Sequence, residues 1–189
     1  PRFPLLAKIL DAREKLSVQV HPPAHLAKQL NGEPKTEMWY LLDADADADL
    51  FVGFRNGVTR ESFQAALQTG TCADLLHRIP VKRGDFIFIP SGRCHAIGGG
   101  CFIIEIQQNS DTTYRVFDWN RVDDKGKPRQ LHIAESLASM DFTDHEPGLD
   151  RARGEALVSC EYFRVDQWQL GEPRADSELV GSIFTVVNG

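Results

Sequence analysis

The sequence predicts a fold dominated by β-structure, an antiparallel barrel or sandwich interrupted by a small helical insertion. Short stretches with strand character recur along the chain, separated by turn signals. The longest apolar runs, such as Phe86–Pro90 and Cys101–Ile106, are strand-sized. Helical patterning is confined to a few short segments, the clearest a pair near residues 58–78.

Lys15–His21 (KLSVQVH) alternates, with Val18 and Val20 on one face and Ser17, Gln19 and His21 on the other. Pro22-Pro23 breaks this strand, and Ala24–Leu30 is a short helix stopped by Asn31-Gly32. Glu37–Leu42 and Leu50–Phe54 are strands. The Asp-Ala alternation from Asp43 to Asp49 reads as a solvated turn, because a calcium loop would need a glycine and a closing glutamate. Thr59 caps a helix through Leu67, and Thr71 with Asp74 caps a second through His77. Pro80–Pro90, Cys101–Gln107 and Thr113–Trp119 resume the strands. Leu131–Met140 is a helix, and a polar linker with Pro147 and Gly148 precedes strands at Phe163–Leu170 and Glu178–Val187.

The chain has 189 residues, 42% hydrophobic and 25% charged, enough for one main domain with a substantial core and an extra piece. Net charge is -6 and the lysines and arginines are scattered, which predicts neither a nucleic-acid nor a membrane partner. Every apolar run is too short to span a bilayer. Cys72, Cys94, Cys101 and Cys160 form no CxxC pair, so reduced thiols and a cytoplasmic setting are expected. The chain opens at Pro1 without a secretory signal, and Ser182–Gly189 has the pattern of a strand lacking a following partner. The expectation is that both ends are cut and the working protein is longer.

Three segments supply metal-ligand side chains. Gln19 and His21 lie two apart on one strand, Glu37 opens the next, and His95 closes GDFIFIPSGRCH. Two imidazoles, one carboxylate and one amide oxygen form a set suited to zinc, manganese or iron. In the last segment, Gly84 is followed after five residues by Pro90, then Gly92, then His95, a spacing that turns the chain into and out of a buried strand. His25, His77, His132 and His145 are read as structural or solvated.

That spacing resembles the second motif of the cupin superfamily, which implies a double-stranded β-helix (jelly-roll barrel) holding a metal. Gln19 departs from the first cupin motif, which has histidine there. More specifically, LSVQVHPP (Leu16–Pro23), KTEMWYLL (Lys35–Leu42), IPSGRCHAIGGG (Ile89–Gly100) and EIQQNSDTTYRVFDWNR (Glu105–Arg121) resemble type I mannose-6-phosphate isomerases of the short bacterial form. The resemblance runs from about residue 3 to about 142. It implies one Zn2+ per chain on Gln19, His21, Glu37 and His95, and a sugar phosphate as the small-molecule partner. It also implies catalytic roles for Arg115, Glu105 and Lys35, and substrate contacts from Ser17, Lys8 and Arg121. The implied domains are a catalytic barrel over 1–142 with its insertion at about 58–78, then a linker and the first strands of a truncated second barrel over 143–189.

The implied reaction interconverts mannose 6-phosphate and fructose 6-phosphate through a cis-enediol. Glu105, Lys35 and a zinc-bound water all remain chemically open as the base, with Glu105 favoured. The glycine- and tryptophan-rich segment that precedes Phe3 in the family is absent, and the family's HPND or HPDD reads HPPA. Two alternatives stay open: a cupin that binds sugar phosphates without turning them over, and a metal-dependent cupin oxygenase, against which Gln19 argues.

Overall fold

The computed structural model describes residues 2–169 and 171. The alternating and continuous apolar stretches become strands. In chain order they are β1 (Leu5–Ala12), β2 (Val18–Val20), β3 (Glu37–Ala44), β4 (Asp49–Phe54), β5 (Leu76–Pro80), β6 (Phe86–Ile89), β7 (His95–Ile97), β8 (Cys101–Gln108), β9 (Tyr114–Phe117), β10 (Ala156–Ser159) and β11 (Arg164–Asp166). The helices are α1 (Ala24–Ala27), α2 (Arg60–Thr69) and α3 (Ile133–Ser139).

Two antiparallel sheets face each other, one ordered β1-β8-β3-β6 and the other β5-β4-β7-β2-β9. The first eight strands thus pair as 1-8-3-6 and 5-4-7-2, and every connection among them except β4 to β5 crosses between sheets. This is the jelly-roll pairing that the sequence predicts, with β9 added beside β2. The helical insertion occupies the β4–β5 connection.

Period-2 alternation divides the side chains among three cores. Trp39 and Leu41 of β3, Leu50 and Val52 of β4, and Ile87, Ile97 and Ile103 fill the space between the sheets. The outer face of the five-stranded sheet presents Val18, Val20, Phe54 and Val116, covered by Phe63 of α2 and Leu137 of α3. The outer face of the four-stranded sheet presents Met38 and Phe86, covered by Val158 and Phe163 of the β10–β11 hairpin.

Local chemistry explains the insertion. Thr59 and Ser62 form a reciprocal capping box at the start of α2, and Gly70 ends it in the left-handed conformation at φ 72°. The second helix predicted through His77 is instead one 3-10 turn, Cys72–Leu75, without a side-chain cap. Leu76 turns extended and starts β5, which pairs with β4. Edge pairing outweighed the capping signal there. The expected solvated turn is present at Asp45–Asp47 but is shorter than Asp43–Asp49, since β3 runs to Ala44, and Ala48 and Asp49 are buried, with Asp49 held by Arg78. β7 and β10 are strands that sequence patterning does not single out, being 3 and 4 residues long. The expected strand at Phe163–Leu170 is confined to Arg164–Asp166, and the one at Glu178–Val187 lies outside the described residues.

Phe63 is fully buried and meets Phe54 edge-on at 5.3 Å between ring centroids. Phe63→Ala should therefore cost about 3–5 kcal/mol by urea unfolding, the range for a large-to-small change in a packed core. A loss below about 1 kcal/mol would show that α2 does not pin this face.

Candidate metal centre

The space between the sheets is apolar at one end and polar at the other. The polar end is built from strand faces already turned inward. On β3, Glu37 shares the inward face with Trp39 and Leu41; on β2, Gln19 points opposite to Val18 and Val20; β7 begins with His95. Pairing brings them together, because Gln19 lies opposite His95 across β2–β7 and opposite Arg115 across β2–β9.

Glu37 is the centre of the arrangement. Its carboxylate is fully buried, and neither oxygen takes part in an aligned hydrogen bond. His21 Nε2 lies 3.5 Å from one oxygen and His95 Nε2 lies 3.5 Å from the other. The Gln19 amide reaches His95 Nε2 at 3.3 Å. Donor atoms about 3.4 Å apart are the edges of a tetrahedron whose metal–ligand bonds are about 2.1 Å. The spacing therefore fits a small divalent ion, and one donor atom from each of His21, Glu37 and His95 lies within 4.8 Å of the others. Turning the Gln19 amide about its last bond presents either nitrogen to an imidazole or oxygen to a metal.

Both imidazoles are oriented from behind. His21 Nδ1 meets the Thr112 carbonyl at 2.8 Å, and His95 Nδ1 meets the Arg93 carbonyl at 2.9 Å. A carbonyl only accepts, so each Nδ1 carries the proton and each Nε2 presents a lone pair to Glu37. Burial pushes the His95 pKa down to about 3, against the pull of Glu37, so this ring is a neutral ligand. Burial raises the Glu37 pKa, but His21, Lys35 and His95 together outweigh it and hold the group well below the usual carboxylate range.

A chain of charges leads away from this centre. Lys35 Nζ, itself buried, lies 2.8 Å from Glu37 and 3.8 Å from Glu105. Lys8 bonds Glu105 at 3.2 Å and Gln107 at 2.6 Å, and the Trp39 indole N–H donates to Glu105 at 3.3 Å. Burial and the nearby Glu37 raise the Glu105 pKa, with Lys35 and Lys8 opposing. On the other side, Arg115 donates to Ser17 Oγ at 3.2 Å and to the Gln130 carbonyl at 3.1 Å. Arg121 lies beside Arg115, bound to Asp118 and to the Lys15 carbonyl.

The residues named from sequence fall into two groups, Gln19, His21, Glu37, His95, Lys35, Glu105 and Lys8 around the buried carboxylates and Ser17, Arg115 and Arg121 beside them, which meet where Gln19 pairs with Arg115. Sequence reasoning missed Trp39 and Gln107, although alternation puts them on the faces of Glu37 and Glu105. It also missed the Thr112 and Arg93 carbonyls, for which a sequence carries no signal. Arg129, which joins Arg121 on Asp118, was missed as well.

Residues 1–49 match the family described as phosphomannose isomerase type I, catalytic domain. The chain is 44% identical over its whole length to mannose-6-phosphate isomerase ManA of Bacillus subtilis, and spans 62% of that protein. The chain resembles type I phosphomannose isomerases along its length. It is also 44% identical to the mannose-6-phosphate isomerase of Streptococcus mutans, over 89% of this chain and 55% of that protein. The crystal structure of the Bacillus subtilis mannose 6-phosphate isomerase superposes with a TM-score of 0.76 at 35% identity, over 86% of this chain and 55% of that one. The chain therefore spans 55% to 62% of the length of these relatives.

Glu37→Gln keeps the shape and removes the only carboxylate among the donors. Metal affinity, measured by competition with a chromophoric chelator, should fall by at least about 100-fold, beyond what loss of an outer partner alone produces. Stoichiometric metal retained by a folded Glu37→Gln protein would contradict the ligand role.

Proposed function

We propose that this chain carries zinc-dependent aldose–ketose isomerase chemistry, interconverting mannose 6-phosphate and fructose 6-phosphate through a cis-enediol. The observation that carries it is the juxtaposition of four convergent metal donors with the buried Glu105 and with Arg115. Zinc, when bound by Gln19, His21, Glu37 and His95, would supply a Lewis acid for negative charge developing on the sugar oxygens.

The remaining work falls to side chains. Glu105 is the base: it takes the proton from C2 of the aldose and returns it to C1, while a hydroxyl proton passes from O2 to O1, so the reaction is balanced without a redox partner. Its environment suits this role, since burial against Glu37 raises its proton affinity while Lys8 and the Trp39 N–H keep it fixed. Lys35, beside both carboxylates, stabilises Glu105 in its ionised, proton-accepting form. Arg115, aligned by Ser17 and Gln130, faces the enediolate with planar paired donors. Ser17 and Arg121, beside Arg115, hold the phosphate end, whereas Lys8, named from sequence for the same end, is engaged with Glu105 and Gln107. We assign this chemistry to residues 1–142. Among the described residues, no helix is long and apolar enough to cross a membrane.

A coupled isomerase assay with metal analysis, with and without chelator, tests the proposal directly. Arg115→Ala should lower turnover by roughly 100- to 1,000-fold, the range for losing a donor to a developing oxyanion, at unchanged zinc content. Equal losses of zinc and turnover would reduce Arg115 to a structural role. Chelator-insensitive turnover, or binding of mannose 6-phosphate without isomerisation, would overturn the proposal.

A further inference from the structure

The loop that delivers His95 is tied to the segment that follows α3. Arg93, two residues before His95, makes a two-pronged fork with Asp144, Nε to Oδ2 at 2.8 Å and Nη2 to Oδ1 at 2.9 Å. Its third nitrogen donates to the Phe88 carbonyl at 2.7 Å, and the pair is largely shielded, with side chains 17% and 16% exposed. The backbone carbonyl of this same Arg93 accepts the Nδ1–H of His95.

Neighbouring bonds reinforce the link. Gly92 N–H donates to the His21 carbonyl at 2.9 Å, and the Gly92 carbonyl accepts from Asp141 N–H at 2.9 Å. The Asp144 carbonyl accepts from Phe54 N–H at 2.9 Å, and Gly53, at φ 66°, lies so close that a Cβ there would be 2.7 Å from that carbonyl. Asp141–Glu146 is thus a strap between the end of β4 and the loop that carries one metal ligand and touches the backbone of another.

We propose that Asp144 is a positioning residue for the metal centre, acting through Arg93 to hold the His95 imidazole at its ligating angle. The inference rests on the metal reading above and deepens it. A bidentate Arg–carboxylate pair fixes direction as well as distance, so losing it frees the Arg93 carbonyl to move while leaving all four ligands present.

The experiment compares zinc and cobalt affinity of wild-type protein, Asp144→Asn and Arg93→Lys by chelator competition, with the visible spectrum of the cobalt-loaded forms. Asp144→Asn should weaken metal binding about tenfold and alter the cobalt bands. Arg93→Lys, which keeps the charge but loses the fork, should do the same. The double variant should be no worse than either single one, since one contact is removed twice. Asp144→Glu should recover part of the affinity and serves if the Asn variant folds poorly. Glu146→Gln leaves one acceptor oxygen for the strap's two contacts with Asn56 and does not touch the His95 loop, so it should leave metal affinity within about twofold. Wild-type affinity and spectra in folded Asp144→Asn or Arg93→Lys, or an equal loss in Glu146→Gln, would overturn the proposal. Wild-type protein that takes up no metal at all would overturn the metal reading itself.

Discussion

A carboxylate buried without an aligned hydrogen bond is the constraint on which this structure turns. Removing Glu37 from water is costly unless positive charge or a metal stands beside it. The barrel meets that demand with the Lys35 ammonium 2.8 Å from Glu37, and it places two imidazole Nε2 atoms at 3.5 Å where they would share a metal with the carboxylate. The apolar half of the interior lowers the local dielectric, so each of these interactions is stronger than it would be at the surface. Trp39 joins the halves: its ring is packed with Leu41, Ile87 and Ile103, meets His95 edge-on at 5.2 Å, and turns its N–H to Glu105.

The jelly-roll topology makes this convergence possible. Gln19 and His21, Glu37, and His95 come from three separate segments of the chain, and strand crossing between the sheets brings them together. The ligand-bearing strands β2 and β7 are 3 residues each, too short to hold a rigid site by their own pairing. Rigidity comes from outside the sheet, from the Thr112 and Arg93 carbonyls and from the strap after α3.

Much of this was legible in the residues. Period-2 alternation placed Gln19 and His21 on the face opposite Val18 and Val20, and the Gly84–His95 spacing placed a histidine at the end of a buried strand. What escaped has a physical cause in each instance. Leu76–Pro80 carries little alternation and follows capping-type residues, so its strand identity depends on pairing with β4, a tertiary effect. Arg93 and Asp144 lie 51 residues apart, and no local pattern marks a fork between them. The backbone carbonyls that orient the imidazoles belong to residues whose identity is immaterial to that role.

The most direct test of the account is X-ray absorption at the zinc edge on the zinc-loaded protein. It should show one zinc surrounded only by nitrogen and oxygen at about 2.0–2.2 Å, with scattering from two imidazoles. A sulfur neighbour near about 2.3 Å, or a single imidazole, would contradict the assignment of the centre to Gln19, His21, Glu37 and His95.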